Sequence, residues 1–115
     1  MFVFLIDQNP LLTQWLKRQA EARGVPFYSL SSLEEAAYFI HDLKPDVLVF
    51  DGASLKGAEK FLAEVESYPE IKSLPMIGLG SSLPEWAGNF VVKGLIKKPL
   101  NPEHFHAEVE KLVKS

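Results

Sequence analysis

Two stretches of the chain are apolar without interruption, Phe2-Val3-Phe4-Leu5-Ile6 and Val47-Leu48-Val49-Phe50. Each runs into an acid, Asp7 and Asp51 respectively. Unbroken runs of this length, rich in β-branched and aromatic residues, suit strands covered on both faces, as in the middle of a parallel sheet. Three shorter strands are predicted at Val25-Pro26-Phe27-Tyr28, Leu74-Pro75-Met76-Ile77-Gly78-Leu79 and Leu95-Ile96. Pro26 fits a sheet edge better than its centre, because proline donates nothing to a ladder.

Between the strands the apolar positions recur at helical spacing. Asn9-Pro10 opens a first helix as cap and first residue, Leu12, Trp15, Leu16 and Ala20 form its apolar stripe, and Gly24 ends it. Ser32-Leu33-Glu34-Glu35 has the form of a capping box before a helix through Ala36, Ala37, Ile40 and Leu43, which stops ahead of Pro45. A third helix is predicted near residues 57–67, with Phe61, Leu62 and Val65 on one side. Ser82-Leu83-Pro84-Glu85 repeats the box, and Trp86, Ala87, Phe90 and Val91 then favour a fourth helix closed by Gly94. The competing pattern makes Phe90-Val91-Val92 a strand with a turn at Lys93-Gly94. Asn101-Pro102 opens a last helix carrying Phe105, Val109 and Leu112. Strands alternating with helices predict a parallel sheet with helices on both faces and right-handed crossovers.

Composition narrows the function classes. At 115 residues the chain is read as one domain, residues 1–115, large enough for a real core. A net charge of -3 gives no basic field for nucleic acid, and no Lys/Arg run suggests a membrane surface. With no cysteine, thiol catalysis, disulfides and zinc–cysteine sites are excluded. The apolar start ends too soon, at Asp7, for a signal peptide or a membrane span, so a cytoplasmic location is expected.

Asp7, Asp51 and Lys98 each fall at the C-terminal end of a predicted strand, the edge where open α/β sheets bind ligands. Two neighbouring carboxylates repel unless a cation neutralises them. All-oxygen ligation with open positions suits Mg²⁺. A carboxylate can also attack phosphorus to form an acyl phosphate, with the metal and a lysine offsetting phosphoryl charge.

With Phe4-Leu5-Ile6-Asp7-Gln8-Asn9-Pro10, Pro45 to Asp51, Leu74 to Leu79 and Lys98-Pro99 in this order, the chain resembles the CheY-like receiver domain of two-component response regulators over essentially its whole length. The resemblance implies a flavodoxin-like, doubly wound five-stranded parallel sheet of order 2-1-3-4-5. It implies that Asp51 is the phosphoacceptor and Lys98 the phosphoryl contact. It also implies a Mg²⁺ site from Asp7, Asp51 and the Ala53 backbone carbonyl. Gln8 stands where the family has a second acid, a weak neutral ligand in its place. Gly80 stands where the family has a Thr or Ser at the end of the fourth strand, and Leu95 replaces the aromatic switch. The loop after Asp51 and the region between the fourth and fifth strands are both short.

These departures predict an atypical, non-enzymatic signalling module, a pseudo-receiver with weak or no phosphorylation. Its partner would be a protein: a histidine kinase, an output domain, another signalling protein or a second copy of itself. A working phosphoacceptor switch on Asp51 is the first alternative, and a flavodoxin-like small-ligand binder is the second.

Several residues invite a sharper reading than their setting supports. His41, His104 and His106 are expected at the surface, since His104 and His106 lie two apart on a helix and do not face each other. Trp15, Trp86 and Phe90 are expected in the core. Gly80-Ser81-Ser82 has the look of an anion cradle, but a tight turn plus a cap is the plainer expectation.

Overall fold

Both uninterrupted apolar runs are strands. In the computed structural model, which describes residues 1–52 and 56–115, all of β1 (Val3–Ile6) is buried, as is all of β3 (Val47–Asp51) except the half-buried Asp51. They pair in parallel, Val3 opposite Val47 and Ile6 opposite Phe50. With β2 (Phe27–Leu30), β4 (Pro75–Leu79) and β5 (Val91–Ile96) they make one parallel sheet of order β2-β1-β3-β4-β5. That is the doubly wound, flavodoxin-like order expected. β2 begins just after Pro26 and lies at an edge, as the missing proline donor requires.

Alternate strand residues feed two cores. On one face Phe4, Ile6, Leu48, Phe50 and Met76 pack against α2 (Ala36–Leu43) and α3 (Ala58–Val65). On the other Val3, Leu5, Val49, Ile77 and Ile96 pack against α1 (Pro10–Arg23) and α4 (Pro102–Lys114). Both predicted Asn-Pro openings form: Asn9 accepts from the N–H groups of Leu11 and Leu12, and Asn101 from that of Glu103. Gly24 ends α1, donating to the carbonyls of Ala20 and Glu21. The Ser32 box forms only in part. Ser32 Oγ takes the Glu34 N–H at 3.3 Å, and α2 starts later, at Ala36.

The predicted fourth helix is overturned. Residues Glu85–Asn89 form a short 3₁₀ segment, and Val91-Val92 is strand as in the competing pattern, but no turn follows at Lys93-Gly94: β5 runs unbroken from Val91 to Ile96, longer than the predicted Leu95-Ile96. The second capping box makes no side-chain bond. The physical reason lies in the aromatics. Trp86 meets Phe50 and Phe61 at ring separations of 5.6 and 5.9 Å, and Phe90 meets Phe61 at 6.0 Å. One short turn packs these rings against the core, Phe90 buried and Trp86 half-buried, and the β-branched Val91-Val92 pair then continues as a strand beside β4. Without a helix over this corner, Val91, Val92 and Leu95 are exposed. The β4–β5 ladder also carries an irregularity: Met76 pairs with Val92 and Ile77 with Gly94, so Lys93 is an extra residue.

Two side chains depart from expectation. Trp15 is 51% exposed, because its stripe turns into the core through Leu16 and Ala20, with Leu12 partly buried against the same cluster. His106 is 6% exposed, wedged between α4 and α1 with one ring nitrogen 3.1 Å from the Leu16 carbonyl. The other, Nδ1, is buried with no partner among the described residues. Burial pushes the His106 pKa below the ordinary histidine value; the Leu16 carbonyl opposes this, and the Arg23 charge adds to it. A depressed folded-state pKa means that the unfolded chain takes up the proton first. The stability from neutral His106 is therefore complete above the unfolded value of about 6.5 and lost as pH falls through the folded value. Urea titrations at stepped pH are expected to show this loss, and His106→Leu is expected to shrink it.

Candidate functional site

The sheet order delivers the three charged residues to one place. Asp7 follows β1 directly, and its backbone N–H is held by the Leu30 carbonyl at 3.1 Å. Its carboxylate is almost wholly buried: Oδ1 accepts the Asn9 N–H at 2.8 Å and Oδ2 accepts from Lys98 Nζ at 2.7 Å. Asn9 thus has two tasks, capping α1 with its side chain and binding Asp7 with its backbone. Asp51 is the last residue of β3, its side chain 14% exposed, with Oδ2 3.0 Å from the same Lys98 Nζ. Lys98 lies just beyond β5 and precedes Pro99 through a cis peptide bond. Residues separated by as many as 91 positions therefore meet on one ammonium group.

The electrostatics of this trio are those of a partly buried ion cluster. Burial is the largest single influence on Lys98 and acts to lower its pKa. The hydrogen bonds to Asp7 and Asp51, with the charges of both carboxylates, together outweigh it and raise the pKa above the ordinary lysine value. Lys98 is therefore firmly charged at neutral pH, and one positive charge faces two carboxylates.

The remaining site residues are arranged less completely. Gln8 is exposed. The Ala53 carbonyl lies outside the described residues. Gly80, at the end of β4, has φ +106, a conformation that side-chain-bearing residues rarely adopt, and its N–H donates to the Ile96 carbonyl at 2.9 Å. This bond spends the first N–H of the Gly80-Ser81-Ser82 turn within the sheet edge, which favours the tight-turn reading over a cradle. Leu95 is 44% exposed on β5.

Sequence reasoning missed one contact at this edge. A side chain at position 52 would run into the Ser82 carbonyl, so the segment after β4 lies directly against the residue after Asp51. The glycine following the acid was the available signal.

No family model matches the sequence, and no curated protein matches it. Solved structures do. The chain is 19% identical to the chemotaxis response regulator CheY4 of Vibrio cholerae, with a TM-score of 0.75, covering 96% of this chain and 97% of that one. A response regulator from Chloroflexus aurantiacus matches at 21% identity and TM-score 0.74, over 99% and 98% of the two chains. The signal receiver domain of a modulated diguanylate cyclase from Desulfovibrio desulfuricans matches at 24% identity and TM-score 0.69, over 98% and 93%. From strand order to chain length, this protein has the fold of CheY-like response-regulator receiver domains.

Proposed function

We propose that the chain is a receiver-type signalling module of the two-component class that acts through protein–protein contact, with weak or no phosphorylation. The observation that carries this reading is the convergence of Asp7 and Asp51 on Lys98, at 2.7 and 3.0 Å, on the C-terminal edge of a 2-1-3-4-5 sheet. The residues around the trio support the atypical part. Gly80 offers no hydroxyl where the resemblance implies one, Gln8 offers no charge, and Leu95 is no aromatic.

The donor set fits a weak Mg²⁺ site. The Asp7 and Asp51 oxygens aim at one point, and oxygen-only ligation suits that ion. Gln8 offers only a neutral oxygen, and among the described residues no group of three or more His, Cys, Asp or Glu side chains is placed to hold a metal. When bound, the ion would supply positive charge against phosphoryl oxygens. Asp7 and Asp51 would hold it, and Lys98 would have to share them.

A working acceptor switch is favoured by the same convergence. In that reading an Asp51 oxygen attacks the donor's phosphorus, a P–O bond to the carboxylate forms, and the donor's bond to phosphorus breaks with its electron pair. Mass measurement after incubation with Mg²⁺ and acetyl phosphate separates the two readings. Most chains are expected to keep their unmodified mass. A stoichiometric phosphoryl adduct that disappears in Asp51→Asn would overturn the proposal in favour of the switch.

A further inference from the structure

The C-terminal edge holds a second recess on the opposite side of Asp7 from Lys98. It is a cleft of about 460 Å³ between α1 and the end of β2. Most of its lining residues carry polar side chains, with Pro10 and Leu30 among them. Gln8, Thr13, Gln14 and Lys17 come from α1 and its approach, and Ser29 and Ser31 come from β2 and the turn after it. Thr13, Gln14 and Lys17, with Pro10, follow the three-and-four spacing of one helical face, so they line a single wall.

Two observations distinguish this wall from an ordinary solvated helix face. The Thr13 hydroxyl oxygen is buried and has no hydrogen-bond partner among the described residues, and it does not turn back onto a carbonyl of its own helix. Buried hydroxyls are normally satisfied, and an unsatisfied one carries a cost that a ligand hydroxyl or amide reaching it would recover. Lys17 makes no salt bridge among the described residues, although the chain has more acids than bases. The two amides and three hydroxyls can each donate and accept, which matches a hydroxyl-rich molecule. Lys17 is the cleft's one cation. The floor carries Asp7, already held by Lys98 and Asn9, and the neighbouring recess past Ser31 is lined by Glu34 and Glu35. An anionic group is therefore repelled from the floor and the acidic rim and drawn to Lys17.

We infer that this cleft binds a small polyhydroxylated molecule with a single anionic group, of the sugar-phosphate class. The hydroxyl body lies over Thr13, Gln14 and the two serines, and the anion lies at Lys17. The cleft volume falls within the usual range for small-ligand sites, about 300–1,000 Å³. Because Asp7 is common to the cleft and the ion trio, the ligand sits one residue from the signalling edge.

The test is a titration of the ¹⁵N-labelled full chain with ribose 5-phosphate, with ribose and inorganic phosphate as separate arms. Saturable amide shifts centred on Thr13, Gln14, Lys17, Ser29 and Ser31 are expected, with a dissociation constant of about 1 mM or tighter. Each control arm is expected to bind at least roughly tenfold more weakly. Lys17→Gln should lower affinity for the phosphate ester by about tenfold while leaving ribose binding as it was. Thr13→Val should weaken both, and Thr13→Ser should restore them. Failure to saturate at about 10 mM, or shifts centred elsewhere, would overturn the inference. Ribose or phosphate binding as tightly as the ester would overturn it too, as would indifference to Lys17→Gln.

Discussion

Lys98→Met is expected to lower folding stability at pH 7 by about 3 kcal/mol, the lower end of what removing one member of a buried ion pair costs. The lower end applies because the Lys98 side chain is 30% exposed, so water screens part of the interaction. The loss arises at Asp7, whose carboxylate is 1% exposed and would keep, among the described residues, only the Asn9 N–H as partner. The pH dependence gives a signature that lost packing alone would not. The raised pKa of Lys98 means its contribution is complete below the unfolded lysine value of about 10.4 and is lost as pH climbs through the folded value. Asp7→Asn in the Lys98→Met background should recover part of the loss. Urea midpoints of the four proteins in this cycle decide the matter. Additive losses would show that the two side chains do not couple.

Phe61→Ala is expected to destabilise the fold by about 4 kcal/mol, within the range for deleting a buried aromatic ring. Phe61 is 1% exposed and touches both rings that tie down the segment after β4, Trp86 and Phe90. Its loss should therefore be felt beyond its own cavity. In a Trp15→Phe background, which leaves Trp86 as the reporter, native-state emission should shift to the red as Trp86 gains contact with water. Unchanged emission with a loss below about 1.5 kcal/mol would mean that the 3₁₀ segment is held by something other than this cluster.

What the sequence made legible follows how local each cause is. β1 and β3 could be read because both faces of each are buried, which leaves no polar residue in either run. The two Asn-Pro helix openings could be read because capping is decided within four residues. The ion trio could be read because three strand ends each carried a charge, and a parallel sheet brings those ends to one edge. The segment 85–90 could not be read the same way. Trp86 and Phe90 satisfy helical spacing, but their ring partners, Phe50 and Phe61, come from elsewhere in the chain and decide the outcome. His106 hides for a similar reason: its burial depends on α1 lying across it, and its own helix carries no mark of that. Trp15 is the converse, an aromatic on an apolar stripe that the helix rotates outward.

The extra residue in β5 separates two evolutionary problems. Before Lys93 the strand inherits its side-chain phase from the aromatic turn; after it the phase is reset, and Ile96 points into the layer of α1 and α4. Length changes upstream can therefore be absorbed at the bulge without rotating the stretch that delivers Lys98. The 3₁₀ corner can change in length while the charged edge stays in alignment.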